Sequence, residues 1–200
     1  MRHLFHLGAG CVPPLLGLIL PRGALLWFLG IVASLFVTGD AARLLIPPFN
    51  RRLMALFRPA GEAFKRGESA QPIGSTYYVA ASYLTFRLFP RSIAIASLFF
   101  AAVGDAVAAT VGERYGRTRI GNRSLEGSFA FLVSALLVGA ILVLAGLRLN
   151  RAAVAVGALV ATLAELAPIP VNDNLTVPLL SATAMAWPLR DRAGEQRLHS

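Results

Sequence analysis

The stretch Ser92-Ile-Ala-Ile-Ala-Ser-Leu-Phe-Phe-Ala-Ala-Val-Gly-Asp-Ala-Val-Ala-Ala-Thr-Val-Gly112 decides the fold. It is long enough to cross a bilayer as a helix, which takes about 20 apolar residues. One carboxylate, Asp105, interrupts it. A carboxylate in a spanning helix costs roughly 2.5–3.5 kcal/mol on insertion scales, so a chain that keeps one is expected to use it on a cation, a proton or a phosphate. At about 100° per residue, Ala101, Asp105, Ala108, Gly112 and Gly116 share one stripe, with Val103, Val107 and Val111 on another side. Small residues let helices approach closely in lipid, so the Asp105 stripe is expected to face the bundle. The plainer alternative is small-residue packing with Asp105 bonded to a neighbouring hydroxyl.

Further apolar runs lie at roughly 4–20, 24–38, 76–90, 127–147, 152–168 and 175–189. With 92–112 they predict an all-α integral membrane bundle of about seven transmembrane helices. The runs at 24–38 and 175–189 are short and read as tilted or partly inserted. The stretch Asn50-Arg-Arg-Leu-Met-Ala-Leu-Phe-Arg58 has apolar residues at helical spacing beside arginines, and reads as an interfacial helix. Residues 1–189 are expected to form a single transmembrane catalytic domain, with a polar tail at 190–200. The first run does not read as a signal peptide: His6 interrupts it, Pro13-Pro14 sits within it, and no small-x-small site follows.

Composition agrees. The chain is 56% hydrophobic with only 14% charged residues, against about 25% charged in soluble domains. A net charge of +9 raises nucleic acid as a partner. The basic residues, nearly all Arg, punctuate apolar runs instead of clustering, so positive-inside topology explains them better and nucleic acid is set aside. Anionic membrane lipids and nucleotide phosphates remain fitting partners. Counting Arg and Lys places the loops after the second, fourth and sixth runs on one face, expected to be cytoplasmic, with Asp40, Glu62, Glu126 and Asp173 gathered there. Cys11, the single cysteine, excludes an intrachain disulfide. Oligomeric state has no signature in the sequence.

Three elements could carry chemistry. Asp105 is the first. The second is Gly112-Glu-Arg-Tyr-Gly-Arg-Thr-Arg-Ile-Gly-Asn-Arg-Ser124, rich in glycine and arginine. Glycines such as Gly112 and Gly116 let backbone N–H groups close around phosphate oxygens, and guanidinium groups chelate phosphate. Gly116-x4-Gly121 is followed by Asn122 where a P-loop needs Lys, and no buried strand precedes it, so a Walker motif is rejected. Ser124-Leu-Glu-Gly-Ser128 then opens a helix with a candidate cap at Ser124 and an acid, Glu126, in its first turn; a helix N-terminus also suits an anion. An ordinary positive-inside loop is the alternative. The third is Glu165-Leu-Ala-Pro-Ile-Pro-Val-Asn-Asp-Asn-Leu-Thr-Val-Pro178, in which Pro168 and Pro170 break the helix and Asn172-Asp173-Asn174 follows. That triplet is a common turn sequence, but its oxygens also suit Mg²⁺.

Several segments recur in this order in the polyprenol kinase family, which includes dolichol, phytol and farnesol kinases and the CTP-dependent diacylglycerol kinase of yeast. They are Arg2-x3-His6-x3-Gly10, Gly104-Asp105-Ala106-x-Ala108-Ala109-x2-Gly112-x3-Gly116, Arg123-Ser124-Leu-Glu126-Gly127-Ser128 and Asn172-Asp173-Asn174. Asp40-x2-Arg43-Leu, Pro48-Phe-Asn50, Glu62 and Gly74-x2-Tyr77 look like its intermediate signposts. The chain resembles that family over nearly its whole length, with Arg123 where the family commonly has Lys. The resemblance implies a multi-span enzyme that moves the γ-phosphate of a nucleotide, commonly CTP, to a lipid alcohol. It implies that Asp105 and Asp173 hold Mg²⁺ or metal-bound phosphates, and that Glu126 completes the acidic cluster or takes the hydroxyl proton. Arg114, Arg117, Arg119 and Arg123 become candidates for the triphosphate, with Ser124, Gly112, Gly116, Asn172 and Asn174 beside them. Arg2 and His6 are placed at the inner membrane surface, near phosphate or hydroxyl. Phosphatidate cytidylyltransferase is the alternative enzyme, although its Lys-Asp, His-Gly-Gly and Asp-Arg-x-Asp signatures are missing. A small non-enzymatic transporter or scaffold is the other alternative.

Overall fold

The computed structural model describes residues 2–48, 50–52, 72–167 and 171–198, with side chains described from 7 to 187 within those ranges. Among the described residues, seven long helices follow in order: α1 (Arg2–Ile19), α2 (Arg22–Leu45), α3 (Gly74–Leu88), α4 (Arg91–Tyr115), α5 (Leu125–Leu144), α6 (Arg151–Leu166) and α7 (Asp173–Leu198). Between α4 and α5 lies a small hairpin, β1 (Arg119–Ile120) and β2 (Arg123–Ser124). Among the described residues, three helices, α2, α4 and α5, are long and apolar enough to cross a membrane, which marks a membrane protein.

The helix boundaries follow local chemistry. Pro21 and Pro90 stand immediately before α2 and α4, where a missing N–H costs nothing. Asn150 caps α6 by accepting from the N–H groups of Ala152 at 2.8 Å and Ala153 at 3.3 Å. The α6 helix stops at Leu166, and Ala167 is extended, as the residue preceding Pro168 should be.

The α4 helix is the hub and packs against α1, α3, α5, α6 and α7, while α2 rests mainly on α3. Apolar burial between helices gains little transfer free energy in lipid, so close fit and hydrogen bonds must hold the bundle. Gly104 supplies such a fit: a Cβ there would come within 2.6 Å of the Phe131 ring of α5. Hydrogen bonds tie α1 in place. Pro14 has no N–H to donate to the Gly10 carbonyl one turn earlier. The Tyr78 hydroxyl of α3 donates to that carbonyl instead, at 2.6 Å. On α7, the Ser181 hydroxyl donates to the Gly157 carbonyl of α6 at 3.0 Å.

Two sequence expectations change. The apolar run at 24–38 belongs to a helix of 24 residues, so it is not short. The helix continues through polar Asp40 and Arg43 because these neutralise each other: the Arg43 Nη2 lies 2.6 Å from Asp40 Oδ1, with both side chains buried. The glycine–arginine segment folds as a hairpin instead of a plain loop. Gly121 has φ +58 at its corner, a left-handed conformation that costs glycine nothing, and Arg119 pairs with Ser124 across it. The backbone of the polar tail continues α7 to Leu198. Of the expected interfacial helix, 50–52 are helical and the remainder, with Glu62, lies outside the described residues.

Candidate functional site

One arginine gathers three acids from three helices. Arg123, on β2, places Nη1 2.7 Å from Glu165 Oε1 in the last turn of α6. The same nitrogen lies 3.5 Å from Asp105 Oδ1 on α4. Its Nη2 donates to Asp173 Oδ2 at the start of α7. The Ser128 hydroxyl of α5 donates to the other Glu165 oxygen, Oε2, at 3.2 Å. The acids differ in exposure: the Glu165 side chain is 3% exposed, Asp173 34% and Asp105 52%. Glu165 forms the floor of the site, and the two aspartates form its rim.

Local structure puts these groups together. Asp105 belongs to the small-residue stripe, whose Ala101 and Ala108 are buried. Asp173 opens α7, where Asn172 Oδ1 accepts from the Asn174 N–H at 3.0 Å and fixes the turn. Asn174 Nδ2 donates to the Gly74 carbonyl at 3.0 Å, fastening this turn to the start of α3. The Ile73 N–H donates to Asp40 Oδ2 at 2.7 Å. The ends of α2, α4 and α6, and the starts of α3, α5 and α7, therefore meet at one end of the bundle.

Arg123 is held as a cation. Burial disfavours its charge, but Glu165, Asp173 and Asp105, in that order of influence, raise the guanidinium above its ordinary value. Three carboxylates against one guanidinium leave surplus negative charge at the rim, where a further cation is favoured. Among the described residues, no group of three or more His, Cys, Asp and Glu side chains is arranged to hold a metal ion. A shallow cleft, with an enclosed volume of about 10 Å³, adjoins the cluster. Asp105, Glu165, Asp173 and Asn174 line it together with Ala101, Phe131 and Val177.

Other residues singled out by sequence sit differently. Ser124 caps α5, its hydroxyl accepting from the Gly127 N–H at 3.1 Å. Gly112 and Gly116 lie against Ser124, and a Cβ at Gly112 would come within 2.9 Å of its hydroxyl. These glycines bring the end of α4 onto the start of α5. Glu126 stands outside the Arg123 ion pairs: its carboxylate accepts from the Thr118 N–H at 3.2 and 3.4 Å, bracing the hairpin. Arg114, Arg117 and Arg119 are exposed around the hairpin. Arg2 and His6 open α1, with side chains outside the described set. Glu165 opens the third segment singled out by sequence, where it was given no role. Its signal was the same as that of Asp105: an acid within an apolar run, one turn before a proline break.

No protein-family model matches the chain, and no solved structure does. An uncharacterized protein of Rickettsia prowazekii is 26% identical over 181 residues, covering 89% of this chain and 88% of its own length. The probable phytol kinase 1, chloroplastic, of Glycine max is 38% identical over 122 residues, 53% of this chain and 40% of that protein. CTP-dependent diacylglycerol kinase 1 of Saccharomyces cerevisiae is 32% identical over 94 residues, 46% of this chain and 31% of that protein. The matched segments thus span less than half the length of both kinases. The similarity to lipid kinases is partial.

Proposed function

We propose that this protein is a multi-pass membrane lipid-alcohol kinase. It transfers the γ-phosphate of a nucleoside triphosphate, CTP on the similarity to a CTP-dependent relative, to an isoprenoid alcohol or diacylglycerol. The observation that carries this reading is the meeting of Asp105, Glu165 and Asp173 on Arg123 beside a shallow cleft lined by both polar and apolar side chains. A lipid alcohol would bring only its hydroxyl to the acids at this shallow cleft, its hydrocarbon tail passing Ala101, Phe131 and Val177 into the surrounding lipid.

Phosphoryl transfer depends on positioning and charge neutralisation more than on covalent chemistry with the protein. The fork of Arg123 matches phosphate oxygens. The exposed Arg114, Arg117 and Arg119 add positive charge around the hairpin for the remainder of the triphosphate. Asp105 and Asp173 would hold Mg²⁺: accessible carboxylates fit an ion that keeps several waters and shares phosphate oxygens. Once bound there, Mg²⁺ supplies neutralisation of phosphate charge. The Asn172–Asn174 turn positions Asp173 through its bond to Gly74. Glu126 serves the hairpin that presents Arg123, in preference to taking the hydroxyl proton. Arg2 and His6, at the start of α1, are assigned to the same cytoplasmic surface.

Detergent-purified protein offered CTP labelled at either the α or the γ phosphorus, with lipid alcohols and phosphatidate, tests the reading. γ-Label entering the lipid alcohol is expected. α-Label entering lipid would make the protein a cytidylyltransferase, and label in neither would remove the enzymatic reading.

A further inference from the structure

We propose that Glu165 is a positioning residue that anchors Arg123 from the floor of the cleft, leaving Asp105 and Asp173 to exchange their share of the guanidinium for a metal ion. The inference rests on the phosphoryl-transfer reading above.

The three acids are not equivalent partners. Glu165, 3% exposed, has the closer contact with Nη1, 2.7 Å against 3.5 Å for Asp105. Its second oxygen is engaged by the Ser128 hydroxyl at 3.2 Å. A buried carboxylate that lost its cation would be stranded in a poorly solvating site. Asp105 and Asp173 are 52% and 34% exposed, so water can replace Arg123 at either. The fork divides accordingly: Nη1 serves the floor and Asp105, while Nη2 serves Asp173. A cation arriving at the rim competes with Arg123 for the aspartates alone. Glu165 would keep the displaced guanidinium at the cleft, where its charge would still be available to a phosphate when the aspartates hold a cation. Without Glu165, both nitrogens are free to settle on the aspartates and block the rim.

Mn²⁺ binding to the full chain in detergent, read as loss of the free-ion paramagnetic resonance signal with no nucleotide or lipid present, tests this directly. Arg123→Gln is expected to tighten Mn²⁺ binding at least tenfold, because the rim loses its competitor. Glu165→Gln is expected to weaken it at least tenfold, and in turnover to raise KM for nucleotide more than it lowers kcat. Glu165→Asp keeps the charge but is one methylene shorter, and is expected to behave like Glu165→Gln. In the Arg123→Gln background, Glu165→Gln should change Mn²⁺ affinity by less than threefold, because Glu165 then has nothing to hold. That double variant removes both charges of the pair and serves if Glu165→Gln does not fold. A full tenfold loss in the Arg123→Gln background would make Glu165 a metal ligand and overturn the proposal. So would recovery by Glu165→Asp, equal directions of change in the two single variants, or no Mn²⁺ bound by any of these proteins. Failure of lipid phosphorylation would leave the Mn²⁺ result standing, so the two readings fail separately.

Discussion

Two arginines, Arg43 and Arg123, are each partnered by carboxylates at the same end of the bundle, and their surroundings make them different devices. Arg43 is fully buried beside Asp40, which also accepts from the Ile73 N–H. The Asp40 oxygens are thus committed to the ends of α2 and α3. Arg123 is 28% exposed and answers to three acids, two of them open to solvent. The first arrangement closes a joint between helices. The second holds charge in a form that an incoming ligand can rearrange. Exposure and carboxylate number decide the difference, since the chemistry of the pairing is shared.

Breaking the closed pair is expected to have the largest effect. Arg43→Met strands a buried Asp40, and losing one partner of a buried pair typically costs about 3–5 kcal/mol. Thermal unfolding in detergent should show a large fall in Tm, with activity lost only in proportion to folded protein. A variant of unchanged Tm would remove the contrast between the two arginines. Next comes the open pair. Asp173→Asn should lower kcat by roughly 10²–10³, the scale for losing one electrostatic group at a reacting phosphate. Its elution profile and Tm should stay near those of the parent, because Asp173 is partly exposed. Full activity would take Asp173 out of the site. The smallest effect sharpens the comparison between cap and site. Ser124→Ala removes the acceptor for the Gly127 N–H and should cost about 1 kcal/mol of stability. Its kcat should fall less than that of Asp173→Asn, since Ser124 is 5% exposed and bonds within its own helix. A fall as large as that of Asp173→Asn would bring Ser124 into contact with substrate.

Much of this was legible from residue order. The seven apolar runs fall on the seven long helices because each is bounded by a proline, a cap or a charged break. Asp105 stood out for its cost in an apolar helix, and the structure brings it together with Asp173 and Arg123. Glu165 carried the same cost, but its partner Arg123 lies far from it in the chain, which residue order does not show. The length of α2 was hidden because Asp40 and Arg43 look like a helix end until their mutual neutralisation is seen. The hairpin was hidden because two-residue strands are too short for alternation to register.

The bond from Tyr78 to the Gly10 carbonyl has its own consequence. A proline within a helix ordinarily creates a bending point, since one carbonyl is released to seek another donor. Here the donor comes from a separate helix, so the latent bend in α1 is locked by its neighbour. Pro14 and Tyr78 thereby form a matched lock and catch. With alanine at position 14 the Gly10 carbonyl would be satisfied within α1 and would no longer need the phenol, whereas phenylalanine at position 78 would let α1 flex.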